Sequence, residues 1–302
     1  MKIAFLFAGQ GAQAVGMGKD FYENLENIKN IYDSFEEIKE LCFEDKEGVL
    51  NQTAYAQKAM LLTSYCIATA LKNEGISPEY CCGLSLGEYS ALTFADVWSL
   101  KDALNIITHR GRIMQNALPL GTTKMSAVIG SDRETISNCL SQVKSGIVEI
   151  ANYNCPGQIV ITGENKAVED ATELLKGKAR RVIPLNVSGA FHCSLLNQAS
   201  KELREVLDQY TPKKPIYKIL YNVSGKEENR NLNDILQEQI CHSVFFEDTI
   251  KNLYANGVDT FVEIGPGKSL SSFVKKTISE PVTIINVSNY NGYLEALKVL
   301  KN

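Results

Sequence analysis

Two kinds of apolar pattern alternate along this chain. One is a short unbroken run that ends on glycine: residues 2–8 lead into Gly9-Gln10-Gly11, Tyr80-Cys81-Cys82 into Gly83, and residues 260–263 into Gly265-Pro266-Gly267. Runs of this length without polar alternation are what strands buried on both faces of a parallel sheet look like. The other is helical. Residues 56–73 carry apolar side chains at three-to-four spacing and close at Gly75 with Pro78 beyond, and residues 100–116 stop before Pro119 and Gly121. Residues 20–41 are charged and mixed with no β-branched run, and they too read as helix, as do 88–95. Strand, tight glycine turn and helix thus follow one another across 80–95.

Near 120–124 the rhythm changes. Strand-like segments at 125–130, 148–153, 158–163 and 181–187 are interleaved with helical ones at 132–143 and 166–176. That order is βαββαβ, the ferredoxin-like unit. Helix 195–207, strand 216–222, helices 232–241 and 246–256, strands 260–263 and 283–287 and helix 293–300 complete the chain. The pattern predicts an α/β fold with a core formed by residues 1–123 and 190–302, into which residues 124–189 are inserted as a small ferredoxin-like subdomain.

Composition narrows the class. With 302 residues, 44% apolar and only 8 prolines, the chain has enough material for a large core and none of the bias of a disordered or collagen-like sequence. A net charge of −4 gives no global attraction to nucleic acid or to an anionic membrane. The eight cysteines (Cys42, Cys66, Cys81, Cys82, Cys139, Cys155, Cys193, Cys241) include no C-x-x-C pair and no histidine at zinc-finger spacing, so neither a metal cage nor a disulfide framework is expected. Lys2 before an apolar run, with Ala12-Gln13-Ala14 beyond, imitates a signal peptide. The run from Ile3 to Ala8 is shorter than the apolar region of such a peptide, and no stretch reaches the length of a membrane span, so the expected location is the cytoplasm.

Three glycine motifs compete for the chemistry. Gly9-Gln10-Gly11-Ala12-Gln13-Ala14 fits the G-x-G-x-x-A dinucleotide fingerprint, but residues 25–45 are charged and helical where a second apolar strand ending in an acidic residue is needed. Gly267-Lys268-Ser269 fails as a P-loop because Val262 stands where the first glycine belongs. Gly83-Leu84-Ser85-Leu86-Gly87 is G-x-S-x-G between a strand and a helix, the context in which a serine is held on a strained turn with its hydroxyl exposed. There the amide of Leu86, at the helix start, can face a developing oxyanion. Such a serine needs a base. His109 lies within a helix beside Arg110, His242 near a helix end, and His192 on the loop Gly189-Ala190-Phe191-His192-Cys193 after the last inserted strand. The residues alone leave the three open, with the loop position favouring His192. Arg110 is either an ordinary helix-surface residue or a fork of donors for a substrate carboxylate.

Four segments together carry a family resemblance: Phe7-Ala8-Gly9-Gln10-Gly11-Ala12-Gln13, Gly83-Leu84-Ser85-Leu86-Gly87-Glu88-Tyr89-Ser90-Ala91-Leu92, Arg110-Gly111-Arg112-Ile113-Met114-Gln115 and Gly189-Ala190-Phe191-His192. Fainter matches are Asn154-Cys155-Pro156-Gly157-Gln158 and Glu263-Ile264-Gly265-Pro266-Gly267-Lys268. In these the chain resembles the malonyl-CoA:acyl carrier protein transacylases of type II fatty acid synthesis. The resemblance implies a hydrolase-like α/β core with the ferredoxin-like insertion. It implies Ser85 as nucleophile, His192 as general base oriented by the backbone carbonyl of Gln239, the amides of Gln10 and Leu86 as oxyanion hole, Arg110 for the malonyl carboxylate, and Phe191 and Asn154 at the substrate. Two departures from the family pattern stand out: Leu84 replaces the usual histidine before the serine, and Ser243-Val244-Phe245-Phe246 follows Gln239 where Pro-Val and an aromatic are common.

The implied reaction is ping-pong malonyl transfer through a malonyl-serine ester, with a coenzyme A thioester and an acyl carrier protein as partners, no metal and no other cofactor. Neither nucleic acid nor membrane is called for, and the chain is allowed to act as a monomer. Two other readings use the same serine and histidine: a trans-acting acyltransferase of a polyketide synthase, and a proofreading thioester hydrolase, against which Arg110 argues.

Overall fold

The structure, a computed structural model, describes residues 1–187 and 189–301. Its strands are β1 (Ile3–Phe7), β2 (Tyr80–Gly83), β3 (Thr123–Ile129), β4 (Val148–Cys155), β5 (Gln158–Glu164), β6 (Arg181–Pro184), β7 (Lys218–Ile219), β8 (Val244–Phe245), β9 (Thr260–Ile264) and β10 (Thr283–Val287). Five of them form a parallel sheet in the order β10-β9-β1-β2-β7. The central strands β1, β2 and β9 are buried throughout, as unbroken apolar runs require. Alternate residues of β1 serve two cores. Phe5 and Phe7 pack with the helices Thr53–Asn73, Leu86–Phe94 and Leu100–Asn116, while Ala4 and Leu6 pack with Phe246–Ala255 and Ser269–Thr277. Phe7 is paired with Gly83, so the carboxyl ends of β1 and β2, and the loops that leave them, lie side by side.

The second sheet has the order β6-β3-β5-β4-β8. Its first four strands, antiparallel, are the fourth, first, third and second of the βαββαβ unit, the ferredoxin-like arrangement predicted from the pattern. Val128, Ile159 and Ile161 of this sheet pack on the helices Arg133–Leu140 and Asn165–Leu175. On the opposite face Met125, Ala151 and Val160 join the main core. A fifth strand, β8, comes from residues 244–245 and runs parallel to β4. The observed fold is therefore an α/β core with a small ferredoxin-like subdomain, and among the described residues no helix is long and apolar enough to cross a membrane.

Several local expectations are corrected. The segment 20–41 is three short helices, Lys19–Asn24, Glu26–Asp33 and Glu36–Phe43, broken at Leu25 and Phe35 where the backbone turns out of the helical region. The last inserted strand stops at Pro184, which has no N–H to donate to a ladder, although Leu185 still donates to Met125. Strand 216–222 shrinks to Lys218–Ile219 at the sheet edge. The helix Ser269–Thr277, with Leu270, Phe273 and Val274 buried, has no counterpart among the predicted elements.

Candidate active site

Ser85 is the second of the two residues between β2 and the helix Leu86–Phe94, and its backbone sits at φ 55°, ψ −107°. Among the described residues only Asp45, Ser85, Asp96 and His192 combine a side chain with positive φ, and such strain, about 1–3 kcal/mol each, persists only where the surroundings enforce it. Here they do. A Cβ on Gly83 would stand 2.1 Å from the backbone of Gly87, and one on Gly87 would stand 2.2 Å from the carbonyl oxygen of Phe7. Both glycines are thus set by close backbone approach. Hydrogen bonds fix the turn: Ser85 N–H donates to Asn222 Oδ1 (2.7 Å), Asn222 Nδ2 to Gly83 O (2.7 Å), and Gln239 Nε2 to Ser85 O (2.9 Å).

A Cβ on Gly9 would lie 2.7 Å from the oxygen of Leu84, so the Gly9-Gln10 loop presses directly on this turn. The amide of Leu86 opens the helix after Ser85, and that of Gln10 leaves the neighbouring strand. Among the described residues neither finds an acceptor, whereas the next amides are bonded: Gly87 to Leu84 O and Glu88 to Ser85 O. Two free N–H groups beside a reactive hydroxyl form the kind of donor pair that stabilises an oxyanion.

Of the three histidines, His109 and His242 are exposed, and His192 alone reaches Ser85. His192 Nε2 is 2.8 Å from Ser85 Oγ, and its Nδ1 is 2.8 Å from the carbonyl oxygen of Gln239. A carbonyl only accepts, so Nδ1 carries the proton and Nε2 offers its lone pair to the serine hydroxyl. Burial, together with the positive charge of Arg110, pushes the imidazole down to about 4, so it is neutral at pH 7. The loop is held from both sheets. His192 N–H donates to Ile240 O (3.1 Å), Ala190 N–H to Thr123 Oγ1 (3.0 Å), and Ser194 N–H to Glu149 Oε2 (2.9 Å).

Arg110 is not on the helix surface; it is fully buried. Its Nη1 donates to Gln57 Oε1 (2.8 Å), while Nη2 donates to Gln239 Oε1 (3.0 Å) and Ser85 Oγ (3.1 Å). The guanidinium lies over the ring of Tyr89, 5.0 Å from its centroid. No carboxylate forms an ion pair with it among the described residues, and its Nε has no acceptor. The nearby Glu88 does not supply the charge: burial pushes its carboxyl up to about 8, leaving it protonated at neutral pH, with Oε2 accepting from Asn222 N–H (2.5 Å). A buried cation without a counter-ion among the described residues, touching the Ser85 hydroxyl, can accept an anionic group.

Phe191 is buried next to His192. Asn154 is buried in β4 with an unpartnered Oδ1, and no hydrogen bond connects it to Ser85. Leu84 packs against the core beneath the sheet. Three participants escape sequence reasoning: Gln57, Glu88 and Asn222. Gln57 had a signal, a polar side chain amid the apolar positions of a buried helix; Asn222 joins the site only through the fold. All eight cysteines are buried and free, and the described residues contain no cluster of His, Cys, Asp or Glu that would hold a metal.

Known proteins are similar to this chain over its whole length. The acyl transferase domain family matches residues 4–294. The malonyl CoA-acyl carrier protein transacylase of Bacillus subtilis (strain 168) is 43% identical, with 99% of this chain and 98% of that protein covered. The chain belongs to the malonyl CoA-acyl carrier protein transacylase family. The crystal structure of the transacylase from Clostridium perfringens ATCC 13124, 41% identical, superposes over 100% of this chain and 98% of its own with a TM-score of 0.96. A further family member, a malonyl-transacylase solved in complex with a type II PKS acyl-carrier protein, is 32% identical with a TM-score of 0.94 over 99% of this chain and all of its own. In this family setting the Gly9-Gln10-Gly11 turn is accounted for as the partner of the Ser85 elbow rather than as a nucleotide fingerprint.

Proposed function

We propose that this acyltransferase moves malonyl from malonyl-CoA to the phosphopantetheine thiol of an acyl carrier protein, through a malonyl ester on Ser85. The observation that carries the reading is the contact of three groups on one hydroxyl: Ser85 Oγ gives its proton toward neutral His192, accepts from unpaired Arg110, and lies beside two unused amides.

In the first half-reaction His192 Nε2 takes the Ser85 proton as Oγ bonds to the thioester carbon. The Gln10 and Leu86 amides hold the oxyanion, and Gln239 O stabilises the imidazolium that forms. The carbon–sulfur bond then breaks and the proton passes from Nε2 to the coenzyme A sulfur. In the second half-reaction the carrier thiol gives its proton to Nε2, its sulfur attacks the ester carbon, and the Ser85 oxygen leaves and recovers the proton. Arg110 holds the malonyl carboxylate throughout, which fixes the acyl chain and disfavours water as the acceptor. Side chains and amides perform every step, so the cycle as proposed draws on no metal or redox group, and its setting is the cytoplasm.

The test is intact mass after separate incubation with malonyl-CoA, acetyl-CoA and methylmalonyl-CoA, followed by addition of holo acyl carrier protein. A malonyl adduct on Ser85 that disappears as the carrier gains the same mass is expected. No adduct, or one lost to water with the carrier unmodified, overturns the reading.

A further inference from the structure

We propose that Glu149, in the inserted subdomain, is a positioning residue for the general base: it anchors the loop that carries His192 in a backbone conformation the loop would not keep unaided. The role rests on the malonyl-transfer reading above. His192 stands at φ 58°, in the left-handed region that favours glycine. Glycine cannot serve here, because the imidazole is the base. Strain of this kind lasts only where neighbouring groups enforce it. The loop is gripped at alternate residues: Ala190 N–H donates to Thr123 Oγ1 (3.0 Å), His192 N–H to Ile240 O (3.1 Å) and Ser194 N–H to Glu149 Oε2 (2.9 Å). The first two acceptors are neutral. The third is a carboxylate whose other oxygen, Oε1, accepts from the Ser194 hydroxyl, so both polar groups of Ser194 end on Glu149. This anchor lies two residues beyond His192, where the chain enters the turn Ser194–Leu196.

The strand explains the reach. In β4, Ile150 packs on the helices of the small subdomain and Ala151 joins the main core, so Glu149, one residue before Ile150, shares the core-facing side. An acidic side chain turned inward needs partners. Glu149 is half-buried and forms no ion pair among the described residues; its partners are the two groups of Ser194. It makes no hydrogen bond to Ser85, His192 or Arg110 among the described residues, so it acts on the chemistry only through the loop. The same strand fixes the other side of the imidazole. Ser243 Oγ donates to Ile150 O (2.5 Å) and Val244 pairs with Asn152, which ties the segment after Gln239 to β4 as well. Residues 149–152 thus hold both the chain that carries His192 and the chain that carries Gln239 O, the carbonyl 2.8 Å from Nδ1. Releasing Glu149 frees the first and leaves the second in place.

The experiment is single-turnover acylation of the full chain by malonyl-CoA, read by intact mass. Glu149→Ala is expected to lower the maximal acylation rate by about tenfold or more, since a displaced base transfers its proton poorly. Half-saturating malonyl-CoA should stay within about twofold, and every molecule should still be labelled at long times. Glu149→Gln keeps the shape and one acceptor oxygen for the Ser194 amide, so its rate should fall between the two; it carries the comparison alone if the alanine variant does not fold. Added to His192→Ala, Glu149→Ala should change the residual rate by no more than about twofold, because the base it positions is gone. A fluorophosphonate, which requires the serine and its base but no malonyl group, should label Ser85 more slowly in Glu149→Ala by a similar factor. A maximal rate within about twofold of the unmodified protein overturns the proposal, whether labelling is complete or stops short as it would for a residue that serves folding alone. A raised half-saturation at unchanged maximal rate also overturns it, by placing Glu149 on the path of the coenzyme A ester. So does an undiminished fall in the His192→Ala background. If the unmodified protein reacts with the fluorophosphonate yet gains no malonyl, the transfer reading fails, and the fluorophosphonate rates of the two proteins still decide the role of Glu149: equal rates overturn it.

Discussion

Two glycine turns carry parallel strands of the same sheet into helices, one at Gly83–Gly87 and one at Gly265–Gly267, and each has a buried glutamate beside it. At the second, Glu263 accepts from Leu270 N–H (3.0 Å), Ser271 N–H (2.9 Å) and Asn286 Nδ2 (3.2 Å), and Asn286 also donates to Gly267 O (2.7 Å). The helix start is closed, and the turn ends in structure. At the first, Glu88 accepts from Asn222 N–H, and among the described residues its Oε1 and the Arg110 Nε have no partner and the Gln10 and Leu86 amides find no acceptor. Buried polar groups are ordinarily satisfied. A turn that leaves this much capacity unmet, on a strained serine, is the one the proposed malonyl transfer uses.

The strongest way to break the contrast is to remove the atom that makes the first turn reactive. Ser85→Ala is expected to fold and to gain no malonyl mass at all, since Oγ is the only atom bonded to the intermediate; a persistent adduct in this variant sinks the assignment. His192→Ala should lower the acylation rate by about a thousandfold or more, with residual rate from binding and the amide donors. The pH profile supplies the sign: the imidazole is held low, so the working neutral form is present above about 4 and is lost as pH falls through that value. An acid limb centred near 6.5, the ordinary histidine value, contradicts the burial of this site.

Smaller effects read the substrate. Arg110→Ala removes the cation that waits for a carboxylate, so the preference for malonyl-CoA over acetyl-CoA should collapse by at least tens of fold, because a charge-assisted bond of roughly 1.5–3 kcal/mol is lost. Competition kinetics with both esters checks it, and an unchanged ratio shows that Arg110 does not read the acyl group. Phe191→Ser opens room beside His192. One methyl is worth about 1–3 kcal/mol, so discrimination against methylmalonyl-CoA should relax by no more than about a hundredfold, and a ratio that stays put removes Phe191 from the acyl pocket.

The contrast also explains what the sequence shows and what it hides. The Ser85 elbow is legible because its constraint is local: a strand, two glycines forced by backbone approach and a helix follow one another within residues 80–94. The ferredoxin-like unit is legible because period-two and helical patterns alternate within one segment. His192 is favoured by its loop position but singled out, like Arg110 and Gln239, only through family resemblance, since their meeting depends on elements distant in the chain. Asn222 and Glu88 are hidden, because their work is to hold backbone groups, and such work leaves no motif. The likeness of Gly267-Lys268-Ser269 to a phosphate loop misleads for the complementary reason: glycines there serve helix entry, with Glu263 taking the donors an anion would want.

The finest test compares the two glutamates directly. Glu263 works as an acceptor for two amides at a helix start, so Glu263→Gln exchanges one acceptor oxygen for a donor facing N–H groups. It should cost about 1–3 kcal/mol. Glu88 behaves otherwise. Its folded carboxyl is pushed up to about 8 from an ordinary 4.5, so the folded protein binds a proton that the unfolded chain releases. The stability this gives is fully present below about 4.5 and drains away as pH rises toward 8. Gln has no such proton and can still accept from Asn222 N–H. Relative to the unmodified protein, Glu88→Gln should therefore be near neutral at pH 5 and gain on the order of a few kcal/mol by pH 8. His192 pulls the other way between about 4 and 6.5, but it is present in both proteins and cancels in the difference. Urea denaturation of both variants at pH 5, 6.5 and 8 decides it. If Glu88→Gln tracks the unmodified protein at every pH, Glu88 is ionised in the folded state, Arg110 then has its counter-ion already, and the first turn is as closed as the second.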